Sequence, residues 1–317
     1  MKYVLNLPIA GPLAAPRSLS ALARSAESHG IDVISSSERL ILPRSVETRY
    51  PYGATGKFPG GTGGQKCLEM LTTLAFLCGQ TSRVRILTSV LVLPYRDPIL
   101  AAKMLSTLDV LSQGRLIVGC GVGWMREEFE ALDLPVRFED RGRASDEYLR
   151  GMQELWCSEN PEFHGNHVRF SGIEFHPKPV QRPHPPFWFG GESPAALRRV
   201  ARFGAGWMPI AGNPRHPLDD DRQLARAIGR LRSMVEAEGR DPDKIHVRFG
   251  GGWNETPRRG PEGKRLPMSG SAQQVAGDIR RYQDLGVDHL GVGLLTDDLS
   301  ESLERIERFM TGVAPLV

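Results

Sequence analysis

Short apolar runs alternate with longer amphipathic segments along nearly all of this 317-residue chain, and that alternation limits the fold more than any other feature. Runs of four to nine residues bounded by turn formers read as strands, and apolar residues spaced three and four apart read as helices. Candidate strands lie at 2–7, 32–36, 85–93, 116–120, 186–190, 206–210, 246–250 and 289–293. Candidate helices lie at 19–29, 67–80, 98–112, 143–156, 194–203, 218–238, 272–285 and 300–310. Eight strand–helix pairs in unbroken succession predict an α/β fold. They predict a (β/α)8 TIM barrel in one domain over residues 1–317, with loop insertions at its C-terminal face. A doubly wound sheet is the alternative, but it lacks Gly-x-Gly-x-x-Gly after the first strand.

Three connections exceed plain turns, and long loops in a compact domain are often functional. Residues 39–66 carry Tyr50-Pro51-Tyr52-Gly53 and Gly60-Gly61-Thr62-Gly63-Gly64, and read as a lid over the barrel mouth or as an ordered surface loop. Residues 158–185 contain a hairpin signal across Gly165-Asn166 and read as a structural excursion. Residues 251–270 are polar and rich in glycine and proline, and read as a partly disordered insertion.

Composition excludes several classes. The formal charge is +3 and no Lys/Arg run exceeds a pair, so no nucleic-acid partner is expected. No stretch reaches the roughly 18 apolar residues that span a bilayer, so no membrane association is expected. Asn6, Pro8, Gly11 and Pro12 interrupt the apolar N-terminus, which reads as a first strand rather than a signal peptide. Cys67, Cys78, Cys120 and Cys157 lack CxxC spacing and read as reduced thiols of a cytoplasmic protein. His164, His167, His176, His184 and His216 sit in loops without a ligand pattern, so no metal is expected. Ser193 is followed by Pro194 and lacks a Gly-x-Ser-x-Gly elbow, which argues against a serine hydrolase.

Several groups at predicted strand ends could carry chemistry. Gly190-Gly191-Glu192-Ser193-Pro194 joins an apolar strand to a helix, with Ser193 suited to the N-cap and Pro194 to the first helical position. Such a turn offers free N–H groups to a phosphate, or is an ordinary strand–helix corner. Gly119-Cys120-Gly121-Val122-Gly123-Trp124 closes strand four, where glycines let backbone lie against a flat ligand or pack closely on a neighbouring strand. Glu38 and Arg39 follow strand two, where a barrel places catalytic side chains, and read as substrate-holding groups or as a structural ion pair.

Taken together, Glu38, Thr88-Ser89-Val90-Leu91-Val92-Leu93-Pro94, Asp109 to Arg115, Gly121-Val122-Gly123-Trp124, Gly190 to Pro194 and Gly206-Trp207-Met208-Pro209 resemble the bacterial-luciferase-like superfamily in order and spacing. The resemblance implies a TIM barrel that binds either reduced FMN, as a monooxygenase, or deazaflavin coenzyme F420, as a hydride-transferring oxidoreductase. This chain is more similar to the second group. The resemblance further implies a cis Ser89–Val90 peptide behind the cofactor ring. Gly121, Val122, Gly123 and Trp124 would line the ring and side arm, and Gly190, Gly191, Glu192 and Ser193 would meet the phosphate end. A carboxylate repels phosphate, so Glu192 is expected to accept from backbone N–H groups or cofactor hydroxyls. Two departures stand out. Arg39 replaces the histidine of many F420-dependent relatives, and a permanently charged guanidinium stabilises charge rather than moving protons. Val122 stands where FMN-dependent relatives can carry a phosphate-gripping arginine.

The expected activity is therefore hydride transfer between F420 and a small organic substrate, with Glu38 and Arg39 as catalytic groups. A reduced-FMN monooxygenase and a non-catalytic flavin-binding barrel are the alternatives. Arg39, Arg44 and Arg49 hint at an anionic or polar substrate or are solvated lid charges. The resemblance also implies a homodimer.

Overall fold

The computed structural model describes residues 1–53, 55–58, 66–260 and 262–317. Eight parallel strands follow the predicted order: β1 (Lys2–Asn6), β2 (Val33–Ser36), β3 (Arg85–Thr88), β4 (Leu116–Gly121), β5 (Phe187–Gly190), β6 (Gly206–Met208), β7 (His246–Gly252) and β8 (His289–Gly293). Each pairs with its neighbour, β8 pairs with β1 through Lys2 opposite His289, and β3 meets β4 through Ile86 opposite Leu116. The sheet closes on itself, so this is the expected TIM barrel and no long strand edge is left unpaired.

Among the described residues nine α-helices accompany the strands: α1 (Pro16–Ser28), α2 (Met70–Cys78), α3 (Pro98–Leu111), α4 (Arg126–Ala131), α5 (Arg141–Cys157), α6 (Pro194–Phe203), α7 (Asp221–Ala237), α8 (Ala272–Asp284) and α9 (Leu299–Gly312). Caps set several boundaries. The Glu69 carboxylate accepts from Leu71 and Thr72 N–H at 3.1 and 2.6 Å, so α2 starts three residues later than its apolar pattern. Asp220 similarly accepts from Gln223 N–H at 2.8 Å and starts α7.

Side chains alternate across each strand and build two cores. Leu5, Ile34, Ile86, Val118, Phe189, Trp207, Phe249 and Leu290 face the helices, whereas Val4, Val33, Leu87, Ile117, Trp188 and Met208 form a separate cluster inside the barrel. The inner cluster needs glycine beside it. A Cβ on Gly206 would lie 2.6 Å from the Trp188 indole, and one on Gly119 would lie 1.9 Å from the Thr88 carbonyl oxygen.

Two expectations change and a third holds. The strand expected over 85–93 is divided: a cis Ser89–Val90 peptide separates β3 from a two-residue strand, Leu91–Val92, which pairs with the end of β4. The segment 251–270 is organised where described: β7 continues through Gly252, and Asp278 accepts from Arg265 at 2.6 and 2.7 Å and from Met268 N–H at 2.8 Å. The 158–185 excursion forms the anticipated hairpin, Phe163–His164 against Arg169–Phe170.

The two kinds of glycine give opposite expectations. Gly119→Ala drives a methyl into backbone and destabilises by on the order of 3 kcal/mol. Gly229→Ala, on the exposed face of α7 with nothing within 4 Å, stabilises by about 0.5–1 kcal/mol. Urea unfolding of both variants checks the pair, and an unchanged midpoint for Gly119→Ala contradicts the packing described.

Candidate active site at the barrel mouth

Three of the sequence-predicted groups converge where the strands end. Thr88 Oγ1 donates to the Gly119 carbonyl at 2.8 Å, holding the end of β3 against β4. Just beyond it, Val90 packs on the inner core. Its two methyls face the adjacent glycine strands: a Cβ on Gly121 would lie 2.6 Å from Val90 Cγ2, and one on Gly190 would lie 3.3 Å from Cγ1. Ser89–Val90, Gly121 and Gly190 thus share one low-relief surface, with a single valine as its apolar centre.

Glu38 and Arg39 are adjacent in sequence but do not pair with each other, which corrects the reading of them as an ion pair. The Glu38 carboxylate is fully buried and accepts from Val92 N–H and from Arg96 Nη1, each at 2.5 Å. Arg96 also pairs with Glu69 at 2.5 Å, so one guanidinium links Glu38 to the cap of α2. Burial outweighs these partners and pushes the Glu38 pKa up to about 7. Arg39 pairs instead with Glu128, a buried residue of α4 that the sequence reading passed over. Tyr95 Oη donates to the same carboxylate at 2.6 Å. The Arg39 guanidinium carbon lies 5.0 Å from the Phe58 ring centroid and 5.8 Å from that of Trp124.

Trp124 therefore belongs to an aromatic group, 5.0 Å from Tyr50 and 5.4 Å from Phe58 between ring centroids. Val122 and Gly123 precede it, and Gly123 takes a left-handed φ of 80° with Phe129 packed close behind. The aromatic group brings the described part of the 39–66 segment onto the mouth. Glu127 Oε1 accepts from Glu47 and Thr48 N–H, both at 2.7 Å, and Gly53 N–H donates to the Gly212 carbonyl at 2.7 Å. The Gly60–Gly64 run assigned to a lid lies outside the described residues.

Ser193 caps α6 as expected, its Oγ accepting from Ala196 N–H at 3.2 Å. Gly191 has a φ of 97°, and its carbonyl accepts from Trp207 Nε1 at 2.9 Å. Glu192 is buried and accepts from Ile210 N–H at 2.9 Å, Asn213 Nδ2 at 2.8 Å and Tyr52 Oη at 3.4 Å. The backbone partner expected for it is Ile210, and burial raises its pKa. One carboxylate thus joins the α6 turn, the loop after β6 and the 39–66 segment.

At the opposite end of the barrel, His246, Asp288 and His289 bring ligand-type atoms within 4.8 Å of one another. Asp288 accepts from Val247 N–H at 2.9 Å and faces His246 Nδ1 at 2.5 Å and His289 Nδ1 at 2.9 Å. The cluster spans the starts of two strands, and no motif within one element announces it. The Asp109–Arg115 motif also lies at this end, where Arg115 donates to the carbonyls of Cys78, Thr81 and Val84.

The sequence profile described as luciferase-like monooxygenase matches residues 5–252. The chain belongs to this family. Family membership makes the mouth, with its Val90 surface, the candidate active site of a luciferase-like oxidoreductase. Among curated relatives, the FMNH2-dependent dimethylsulfone monooxygenase of Pseudomonas putida is 29% identical over 304 residues, covering 82% of each chain. The uncharacterised Rv0940c protein of Mycobacterium tuberculosis is 32% identical over 229 residues, covering 71% of this chain and 74% of that one. An F420-dependent secondary alcohol dehydrogenase solved with an F420–acetone adduct superposes with a TM-score of 0.75 at 17% identity, covering 100% of this chain and 98% of that one. No helix among the described residues is long and apolar enough to cross a membrane.

The Glu38 environment makes stability depend on pH in a definite direction. Its folded pKa, about 7, lies above the ordinary 4.5, so the native state holds a proton that the unfolded chain releases between those values. Its contribution is greatest below about pH 4.5 and falls as pH rises through 7. Glu38→Gln mimics the protonated form. Relative to the parent it should therefore gain stability, by on the order of 3 kcal/mol, between pH 4.5 and 8. Denaturant midpoints at both pH values test this, and a constant gap between variant and parent contradicts it.

Proposed function

We propose that the chain is an F420-dependent oxidoreductase that passes a hydride between the cofactor and a small organic substrate at the barrel mouth. The observation that carries this reading is the Val90 surface between Gly121 and Gly190, where the two valine methyls take the space that two Cβ atoms would fill and offer one apolar patch for a flat ring to lie against. Bound F420 supplies a ring carbon that accepts or donates hydride.

The chain's own residues would then act as follows. Val90 backs the ring, while Gly121, Val122, Gly123 and Trp124 flank it. Gly190, Gly191 and Ser193 offer the phosphate end a helix start, where N–H groups favour an anion. Glu38 is a positioning residue that fixes Val92 and Arg96 beside the cis peptide. Arg39, held by Glu128, provides a permanent positive charge next to Trp124 that offsets negative charge on the ring. Glu192 and Tyr52 hold the 39–66 segment against the loop after β6 and help exclude water.

The chemistry of the α6 turn favours F420 over FMN. Its polar groups are a buried carboxylate, a hydroxyl and backbone N–H groups, and position 122, where FMN-dependent relatives can carry a phosphate-gripping arginine, is valine. This set suits a singly charged phosphodiester better than the terminal phosphate of FMN, which carries up to two charges. The second reading, a reduced-FMN monooxygenase, is favoured by the likeness to the Pseudomonas putida enzyme over 82% of both chains.

Fluorescence titration with F420 and with FMN, together with oxygen uptake in the presence of reduced FMN, separates the readings. The expected result is micromolar F420 binding, weaker FMN binding and no oxygen uptake above the protein-free rate. Arg39→Met should retain F420 binding within about tenfold and lose more than tenfold in hydride transfer, the range of one charge-stabilising group. Oxygen uptake with tight FMN binding selects the second reading, and absence of binding by both cofactors removes both.

A further inference from the structure

Arg248 is a charge inside the barrel for which the described residues supply no partner. Alternation along β7 sends Val247 and Phe249 into the helix-facing core, which places Arg248 on the inner face. Its guanidinium crosses to the neighbouring strand, since a Cβ on Gly291 of β8 would lie 2.6 Å from Arg248 Nη2. The Nε is sealed from solvent and makes no hydrogen bond. Among the described residues no carboxylate pairs with this side chain, and burial alone depresses its pKa from the ordinary arginine value. The residue as a whole is half-buried, and a cation held inside a barrel without a counter-charge is costly, since interiors normally supply an opposing charge.

The route to that guanidinium is lined by backbone. On β7 the inward positions beyond Arg248 are Gly250 and Gly252, and on β8 those beyond His289 are Gly291 and Gly293. Val292, between the last two, faces the helices. Gly252 and Gly293 are exposed at the mouth. No side chain from either strand therefore stands between the guanidinium and the opening. Trp188 Nε1, also in the barrel interior, is a second sealed donor without an acceptor.

Resting on the reading of the mouth as the active site, we propose that Arg248 binds the oxyanion head, a carboxylate, of the small organic substrate. The planar fork of the guanidinium matches a carboxylate in two parallel hydrogen bonds, and the glycine channel sets the direction of entry. The remainder of the substrate then points back toward the Val90 surface. The substrate class is accordingly a small organic acid rather than a neutral alcohol or sulfone.

Benzoate and benzamide, equal in shape but different in charge, serve as probes by tryptophan fluorescence with the parent protein and with Arg248→Met, Arg248→Lys and Gly291→Ala. The parent should prefer benzoate at least tenfold. Arg248→Met should abolish the preference and Arg248→Lys should keep part of it. Gly291→Ala, which pushes the guanidinium aside without removing it, should weaken benzoate and leave benzamide unchanged. Parallel F420 titration keeps the two readings distinct, because loss of F420 binding in the parent defeats the functional reading while benzoate preference reports on Arg248 alone. Equal parental affinity for the two probes overturns the proposal, even if no variant folds. So does a preference that survives in Arg248→Met, or benzoate displaced by chloride at equal concentration, which would mark an inorganic-anion site only.

Discussion

The closed barrel has a small interior, and the division of that volume between side chains and backbone governs the rest of the molecule. Trp188, Met208, Leu87 and Ile117 fill the inside with bulk, helped by glycines at 119 and 206 that yield space to their neighbours. Toward the C-terminal ends of β4, β5, β7 and β8 the inward positions become glycine: Gly121, Gly190, Gly250, Gly252, Gly291 and Gly293. The lower barrel is consequently packed at the density expected of a core, while the upper barrel presents backbone along those four strands and the Asn6–Ser35 pair at the ends of β1 and β2. Val90 on one side and Arg248 on the other break that backbone surface with one apolar and one cationic group.

Carboxylates organise the rim, each joined to parts of the chain that lie far apart. Glu38 connects β2 to Arg96 and the Leu91–Val92 strand, Glu128 connects Arg39 to Tyr95, and Glu127 holds backbone at 47 and 48. Removing one partner of a buried pair leaves an uncompensated charge, so these links preserve geometry more than they add stability. They keep loops from different strands in register around the mouth.

Much of this was legible because periodicity reports which face of an element is buried. The eight strands and eight of the nine helices follow from it, and glycines at strand ends indicated where backbone would approach a ligand. The cis Ser89–Val90 bond was accessible only through family resemblance, since nothing in the composition of 85–93 marks a break. Helix Arg126–Ala131 was missed because six largely charged residues carry no apolar period. Glu128 as the partner of Arg39, Arg96 as that of Glu38 and the His246–Asp288–His289 cluster depend on contacts between distant segments. Arg248 was visible as part of a strand, but its lack of a counter-charge emerges only when all eight strands surround it.

The position of Glu192 has an energetic corollary for the turn before α6. An anion drawn to that helix start would add to the burial that already disfavours ionised Glu192, and this carboxylate is what holds Tyr52, Asn213 and the Ile210 amide. Linkage works equally in both directions, so a Tyr52 contact that favours the ionised form of Glu192 would weaken an anion at the turn. On the proposed reading of this turn, phosphate retention and the Tyr52 contact at the mouth would be coupled through the protonation of a single side chain.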